Sequence, residues 1–321
     1  ADGEYIVTGI WDVNGCGSCD NRVHLFGKSS STPLWNYELG DEVNSVSISA
    51  DGRYIFASTG GSDDKLYFFE RGSSTPLWTY SNGNYIHSID ISADGEYMVA
   101  GIGDKLYLFD KDDEDPVWSY DTGDRVYSVS ISADGEYIAA GTDDNSDEES
   151  KIYLFDKDDD DPEWSYTMDS NERGQSVDIS EDGEYIMAVS YHNEAYFFDK
   201  DSGIPLWSYT VDYRGVLTTV SANGKYIAVS SIGGKLYLFD NEAASDDFLI
   251  PVTPRDGNTI ERPVTLTWFA GSDDRSNLTF DVYLGTNSSS LTKVADDITT
   301  LNYTPIDLVM TKKYYWKVVA T

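Results

Sequence analysis

Residues 105–141 read KLYLFDKDDEDPVWSYDTGDRVYSVSISADGEYIAAG, and this stretch decides the fold. Three short runs in it have strand alternation or strand composition: Leu106 to Phe109, Val117 to Tyr120 and Val126 to Ser132. A fourth, Tyr137 to Ala140, follows Asp134-Gly135. Four strands joined by tight turns make one small antiparallel sheet, which cannot bury both of its faces alone. The stretch recurs with variation from the start of the chain to residue 240, so neighbouring sheets are expected to pack face to face.

The register is clearest at the Asp-Gly or Asn-Gly pairs: Asp2-Gly3, Asp51-Gly52, Asp94-Gly95, Asp134-Gly135, Asp182-Gly183 and Asn223-Gly224. These pairs predict two-residue hairpins in which both central residues take positive φ. Next comes a run such as LYFF at Leu66, LYLF at Leu106 or IYLF at Ile152, expected to lie buried between neighbouring sheets. A polar turn and a proline then lead into a short strand carrying Trp35, Trp78, Trp118, Trp164 or Trp207. Proline suits a strand start or a sheet edge, so the tryptophan strand is placed outermost. The Ser-rich strands, VNSVSIS from Val43 and VYSVSIS from Val126 among them, become innermost, where small residues fit a crowded centre. Sheets radiating in this way make an all-β β-propeller.

Six hairpin strands and six LYLF-type strands stand against five tryptophan strands and five Ser-rich strands. The first unit lacks its innermost strand and the last its outermost. A single upstream segment would therefore close a ring of six blades, and a whole upstream unit would give seven. The expected propeller spans residues 1–250 and is incomplete at its N-terminus. Insertions fall between the second and third strands of two units, as the Cys16/Cys19 loop and as the acidic stretch 142–150. Equivalent loops of a repeat lie on one face, and that face is the one to search for function.

The formal net charge is -35, from 57 Asp and Glu against 22 Lys and Arg, and such a field repels a phosphate backbone. Nucleic acid is therefore excluded as an expected partner, and no apolar run reaches the ~20 residues that a membrane-spanning helix needs. The only two cysteines, Cys16 and Cys19, read as a local disulfide, with free thiols as the other reading. A disulfide would favour an oxidising, extracellular setting. In the acidic turns, Asp156, Asp158 and Asp160 offer alternate carboxylate oxygens to calcium, and a solvated turn is the competing reading. His24, His87 and His192 are scattered over different units, and no serine-histidine-aspartate set is singled out.

The repeat resembles the quinoprotein (PQQ-like) and WD-type β-propeller repeats, of the prokaryotic cell-surface kind. The resemblance rests on a tryptophan-docking pattern. Asp199, Ser202, Gly203 and Trp207 reproduce it, with Phe197 where that family has Ala. Its eight-residue interval also separates Asp110 from Trp118, Asp156 from Trp164, Glu70 from Trp78 and Gly27 from Trp35. In that family the motif staples each sheet to its neighbour, so Asp110, Trp118, Asp156, Trp164, Asp199 and Trp207 are implied docking residues. The adjacent-cysteine disulfide of the family's quinone pocket is absent, so no cofactor is expected beyond the calcium already named.

From Pro251 the pattern changes. Runs such as VTLTW, LTFDVYLG, KVAD, NYTP and YYWKVVAT resemble a fibronectin type III-like or related immunoglobulin-like sandwich over residues 251–321, lacking its last strand. Three glycosylation sequons, at Asn277, Asn287 and Asn302, all fall in this part. The expectation is a non-enzymatic extracellular or cell-surface scaffold that binds protein or surface glycan through rim loops. The alternatives are a self-assembling structural subunit completed by neighbouring copies, and a quinone-dependent dehydrogenase-like enzyme.

Overall fold

The computed structural model describes residues 3–10, 21–143, 150–168, 174–241, 248–253, 266–271, 279–286, 290–300, 302–305 and 315–320. Its elements are all strands. Sheet one holds β1 (Tyr5–Gly9), β2 (Arg22–Gly27) and β3 (Trp35–Glu38) in that order. Sheet two holds β4 (Val43–Ile48), β5 (Tyr54–Thr59), β6 (Leu66–Glu70) and β7 (Trp78–Tyr80). Sheet three is β8 (Ile86–Ile91), β9 (Tyr97–Ile102), β10 (Lys105–Asp110) and β11 (Pro116–Asp121). Sheet four is β12 (Arg125–Ile131), β13 (Tyr137–Asp143), β14 (Lys151–Asp156) and β15 (Trp164–Thr167). Sheet five is β16 (Gly174–Ile179), β17 (Tyr185–Ser190), β18 (Glu194–Asp199) and β19 (Trp207–Thr210). Sheet six is β20 (Gly215–Val220), β21 (Tyr226–Ser231) and β22 (Leu236–Asp240). The meander runs from a Ser-rich edge to a tryptophan edge, and successive Ser-rich strands β4, β8, β12, β16 and β20 pack against one another. Four-stranded sheets radiating from a shared inner edge fit a β-propeller.

Strand alternation explains why the LYLF-type run is apolar at every position. In β10, Leu106 and Leu108 enter the core with Val126, Val129 and Ile131 of sheet four. Tyr107 and Phe109 point the other way, into the core with Phe56, Phe68 and Ile86. One strand thus serves two cores, with aliphatic side chains on one side and aromatic ones on the other. β14 repeats the division, with Ile152 and Leu154 on one side and Tyr153 and Phe155 on the other.

The inner edge needs a different solution, because an edge strand leaves backbone amides without a ladder partner. Serine hydroxyls supply it from the neighbouring sheet. Ser88 Oγ accepts the amide of Val129 at 3.2 Å, Ser128 that of Val177 at 3.0 Å and Ser176 that of Thr218 at 3.2 Å. One step along, the aligned positions are Ser47, Asp90, Ser130, Asp178 and Thr219. Asp90 accepts from Ser47 Oγ at 3.0 Å and from the Ile131 amide at 3.1 Å, so it ties sheet three to both neighbours. Asp178 accepts the Val220 amide at 2.8 Å, and the Ser130 hydroxyl lies 3.3 Å and 3.1 Å from the two carboxylates. The serines of the inner strands therefore bond one sheet to the next as well as being small.

The hairpin turns differ from the two-residue form read from the sequence. The Ser49 amide donates to the Tyr54 carbonyl at 3.0 Å, which leaves a four-residue loop, and the Gly52 amide donates to the Ser49 carbonyl at 2.9 Å. Only the glycine takes positive φ; none of the turn aspartates does. The cause is the preceding serine. Asp51 Oδ1 accepts both Ser49 Oγ and the Arg53 amide at 2.8 Å, while Ser49 Oγ accepts the Tyr54 amide at 3.0 Å. That pattern holds Asp51 in a right-handed turn and places glycine fourth. The same bonds recur at Ser92/Asp94, Ser132/Asp134, Ser180/Asp182 and Ser221/Asn223.

These turns also connect the sheets. Ala50 donates to the Ala93 carbonyl, Ala93 to Ala133 and Ala133 to Glu181, at 2.8–3.0 Å. From Gly52 to Gly224, each of the five turn glycines sits under a tyrosine of the preceding sheet. A Cβ on Gly95, where φ is +72°, would come within 2.4 Å of Tyr54 Cδ2. Gly95→Ala is therefore expected to cost about 2–3 kcal/mol, the left-handed penalty plus overpacking. The urea midpoint measures it, and an unchanged midpoint would contradict this packing.

Beyond sheet six, β23 (Phe248–Thr253), β24 (Leu266–Gly271) and β27 (Asn302–Tyr303) form one three-stranded sheet. A second joins β26 (Thr292–Ile298), β25 (Phe280–Gly285) and β28 (Tyr315–Ala320). β23 straddles position 251, where the sequence pattern changes.

Candidate functional site

Connections at the two ends of the sheets differ in kind. One end carries the repeated Ser-x-Asp-Gly turns. The other receives the starts of the inner strands, the ends of their hairpin partners and the strand ends that flank both insertions in sequence. Cys16, Cys19 and residues 144–149 of the second insertion lie outside the described residues, as do Asn277 and Asn287. Asn302 falls in β27.

At this second end an open cavity of about 230 Å³ lies at the channel mouth, lined by Arg125, Tyr127, Asp143, Gln175, Tyr191 and Arg214. These side chains come from strand ends and loops of sheets four, five and six. Arg125 opens β12 and reaches Asp143, at the end of β13, at 3.7 Å. Arg214 precedes β20 and sits over Tyr191, its guanidinium carbon 4.2 Å from the ring centroid. Its Nε is buried with no hydrogen-bond partner. On the other side of Tyr127, His87 stacks at 5.8 Å and in turn meets Tyr85 at 4.7 Å. Burial, and secondarily the Arg125 charge, pull the His87 pKa down to about 4, so the imidazole is neutral at neutral pH. The positive charge of the mouth therefore belongs to its guanidinium groups.

Deeper in the channel lie Asp90 and Asp178. Burial raises Asp90 to about 6 against the opposing pull of its hydrogen bonds, with the Asp178 charge adding to the rise. Burial likewise raises Asp178.

Among the described residues, each indole at this interval but one donates to a backbone carbonyl of the next sheet: Trp118 Nε1 to Lys157 at 2.7 Å, Trp164 to Lys200 at 2.7 Å. Trp78 does so to Lys111 at 3.0 Å and Trp35 to Arg71 at 2.8 Å. Trp207 instead lies between rings, 5.2 Å from Phe197 and 4.9 Å from Phe239. The aspartates shape the receiving turns. Asp110, Asp156 and Asp199 accept the amides of Asp112, Asp158 and Asp201 at 2.8–2.9 Å.

That arrangement bears on the calcium candidates. Asp156 Oδ1 caps its own turn, and Asp158, 80% exposed, pairs with Lys157 at 2.9 Å. Asp160 lies in the same exposed turn. Among the described residues no three His, Cys, Asp or Glu side chains are grouped to hold a metal ion.

None of the mouth residues except His87 is singled out by sequence reading. They occupy non-repeated positions at or just beyond the strand ends, and the available signal is departure from the repeat. Asp90 and Asp178 carry a plainer one, since IDIS and VDIS replace VSIS.

Residues 87–223 match the family described as outer membrane protein assembly factor BamB, and residues 33–70 match the WD domain, G-beta repeat. A comparison with curated proteins finds no match. Both matches fall within sheets one to six, and with the repeated inner edge and tryptophan edge they make this chain a β-propeller repeat protein.

Proposed function

We propose that the chain is a non-enzymatic binding scaffold of the cell surface or extracellular space, holding a protein or surface glycan at the channel mouth. The observation that carries the reading is the convergence of Arg125, Tyr127, Gln175, Tyr191 and Arg214, all non-repeated, at the end opposite the Ser-x-Asp-Gly turns. Elsewhere the repeat prescribes the side chains, and variation on a rigid platform is what recognition requires. On this reading residues 1–250 are a six-bladed propeller and residues 251–321 a fibronectin type III-like spacer or adhesive unit. The matched family's description, an outer-membrane assembly factor, is compatible with an envelope location. Labelled protein is expected to bind isolated envelopes of its source cells. Tyr127→Ala/Tyr191→Ala should weaken that binding by about tenfold or more, as for central aromatic anchors. Arg53→Gln, in a turn at the other end, should leave it unchanged. Equal binding by all three proteins would sink the reading.

A second reading, a structural subunit adding to its neighbours, is favoured by β22. Leu236 and Leu238 there are 66% and 75% exposed, while their counterparts Leu106 and Leu108 are fully buried. An uncovered apolar edge strand invites pairing. A strictly monomeric mass at high protein concentration would exclude it.

A further inference from the structure

Arg214 poses a problem of charge. The chain has 57 acidic residues, yet this guanidinium has no carboxylate and no hydrogen-bond acceptor among the described residues, and its Nε is buried. The other described arginines are engaged: Arg22 with Glu38, Arg53 with Glu70, Arg71 with the Asp51 carbonyl and Arg125 with Asp143. The acids beside it are engaged too: Asp143, in the same cavity, pairs with Arg125, and Asp212, two residues away in sequence, pairs with Lys235. A part-buried guanidinium without an acceptor loses hydration and gains only its contact with Tyr191 in return, so a site that keeps one is organised for a partner brought from outside.

The geometry narrows that partner. Tyr191 lies against the guanidinium, 4.2 Å from its carbon, and Nε is buried, which leaves the terminal Nη donors as the available contacts. A planar fork of parallel N–H donors matches a carboxylate. Arg125, already neutralised by Asp143, adds a donor edge without a second net charge. Tyr127 and Gln175 supply further polar groups in the same cavity of about 230 Å³.

We infer that the mouth cavity is a carboxylate-binding site in which Arg214, oriented by Tyr191, takes the anion edge-on. This rests on the proposed reading of the mouth as the binding surface and specifies the ligand chemistry. The carboxylate can come from an acidic sugar or from a Glu or Asp side chain of a protein, and the test separates the two.

Glucuronate and N-acetylglutamate are titrated separately into the full chain at low ionic strength, followed by calorimetry and by tyrosine and arginine side-chain NMR shifts. One of the two is expected to bind saturably, with affinity falling as salt rises. Arg214→Gln should weaken it by about tenfold or more, and Arg214→Lys, which keeps charge but loses the fork, by a smaller factor. Arg53→Gln should have no effect. Melting curves of the Arg214 variants show whether the fold is kept.

Three results overturn the inference: neither carboxylate binds, inorganic phosphate binds and carboxylates do not, or Arg214→Gln and Arg214→Lys both bind as wild type does. Absence of carboxylate binding alongside envelope binding lost in Tyr127→Ala/Tyr191→Ala would defeat this inference alone. Carboxylate binding without any envelope binding would defeat the broader reading alone.

Discussion

Trp118→Ala is expected to destabilise the protein by about 3 kcal/mol, and Trp118→Phe by about 1–2 kcal/mol. The two substitutions separate two contributions. Alanine removes a ring packed 5.7 Å from Phe155 against the core between sheets three and four, and the space does not fully collapse. Phenylalanine keeps most of that contact but removes the indole N–H, leaving the Lys157 carbonyl without the 2.7 Å bond it accepts. Partial exposure of Trp118 keeps the alanine cost at the lower end of the range for buried aromatics. Urea unfolding followed by far-UV circular dichroism measures both. A phenylalanine variant as stable as wild type would remove the hydrogen bond from the account.

Asp90 predicts a pH dependence of opposite sense to that of an ordinary surface carboxylate. Burial raises its folded pKa from 3.8 to about 6, while the unfolded chain keeps the ordinary value. Between those two pH values the folded state holds more protons than the unfolded one, so stability falls as pH rises from about 4 to about 6 and is then level for this group. A shift of about two units corresponds to at most ~3 kcal/mol, reduced by the water that screens the channel-facing oxygens. Asp178 shifts in the same direction, so the contribution of Asp90 is read as a difference. Asp90→Ser installs the residue found at positions 47 and 130. The stability of wild type relative to this variant should decline from pH 4.5 to pH 7 in thermal unfolding. A constant difference across that range would refute the assignment.

Much of the fold is legible because the repeat reports the same constraint many times. Trp78, Trp118 and Trp164 recur at one interval since each meets the same backbone geometry, and the LYLF alternation recurs since each strand faces two cores. The turn form is ambiguous in sequence for a local reason. Asp-Gly is shared by two hairpin forms, and the serine two positions before the aspartate selects between them through side-chain bonds. The same limit applies to the inner strands, where sequence shows the small size of serine but its hydrogen bonds to the next sheet depend on register across a gap that a sequence does not display. The mouth was hardest to read. Arg125, Tyr191 and Arg214 are far apart in sequence and belong to no repeated pattern, and only folding brings them to one cavity.

The tryptophan contacts have a consequence for how such a chain can change over generations. The group that receives each indole is a main-chain carbonyl, of Arg71, Lys111, Lys157 or Lys200. Every residue type offers that acceptor, so the receiving unit need not change its side chains to suit the donor. A unit can therefore be duplicated, exchanged with its neighbour or allowed to drift at its loops while the junction between units survives.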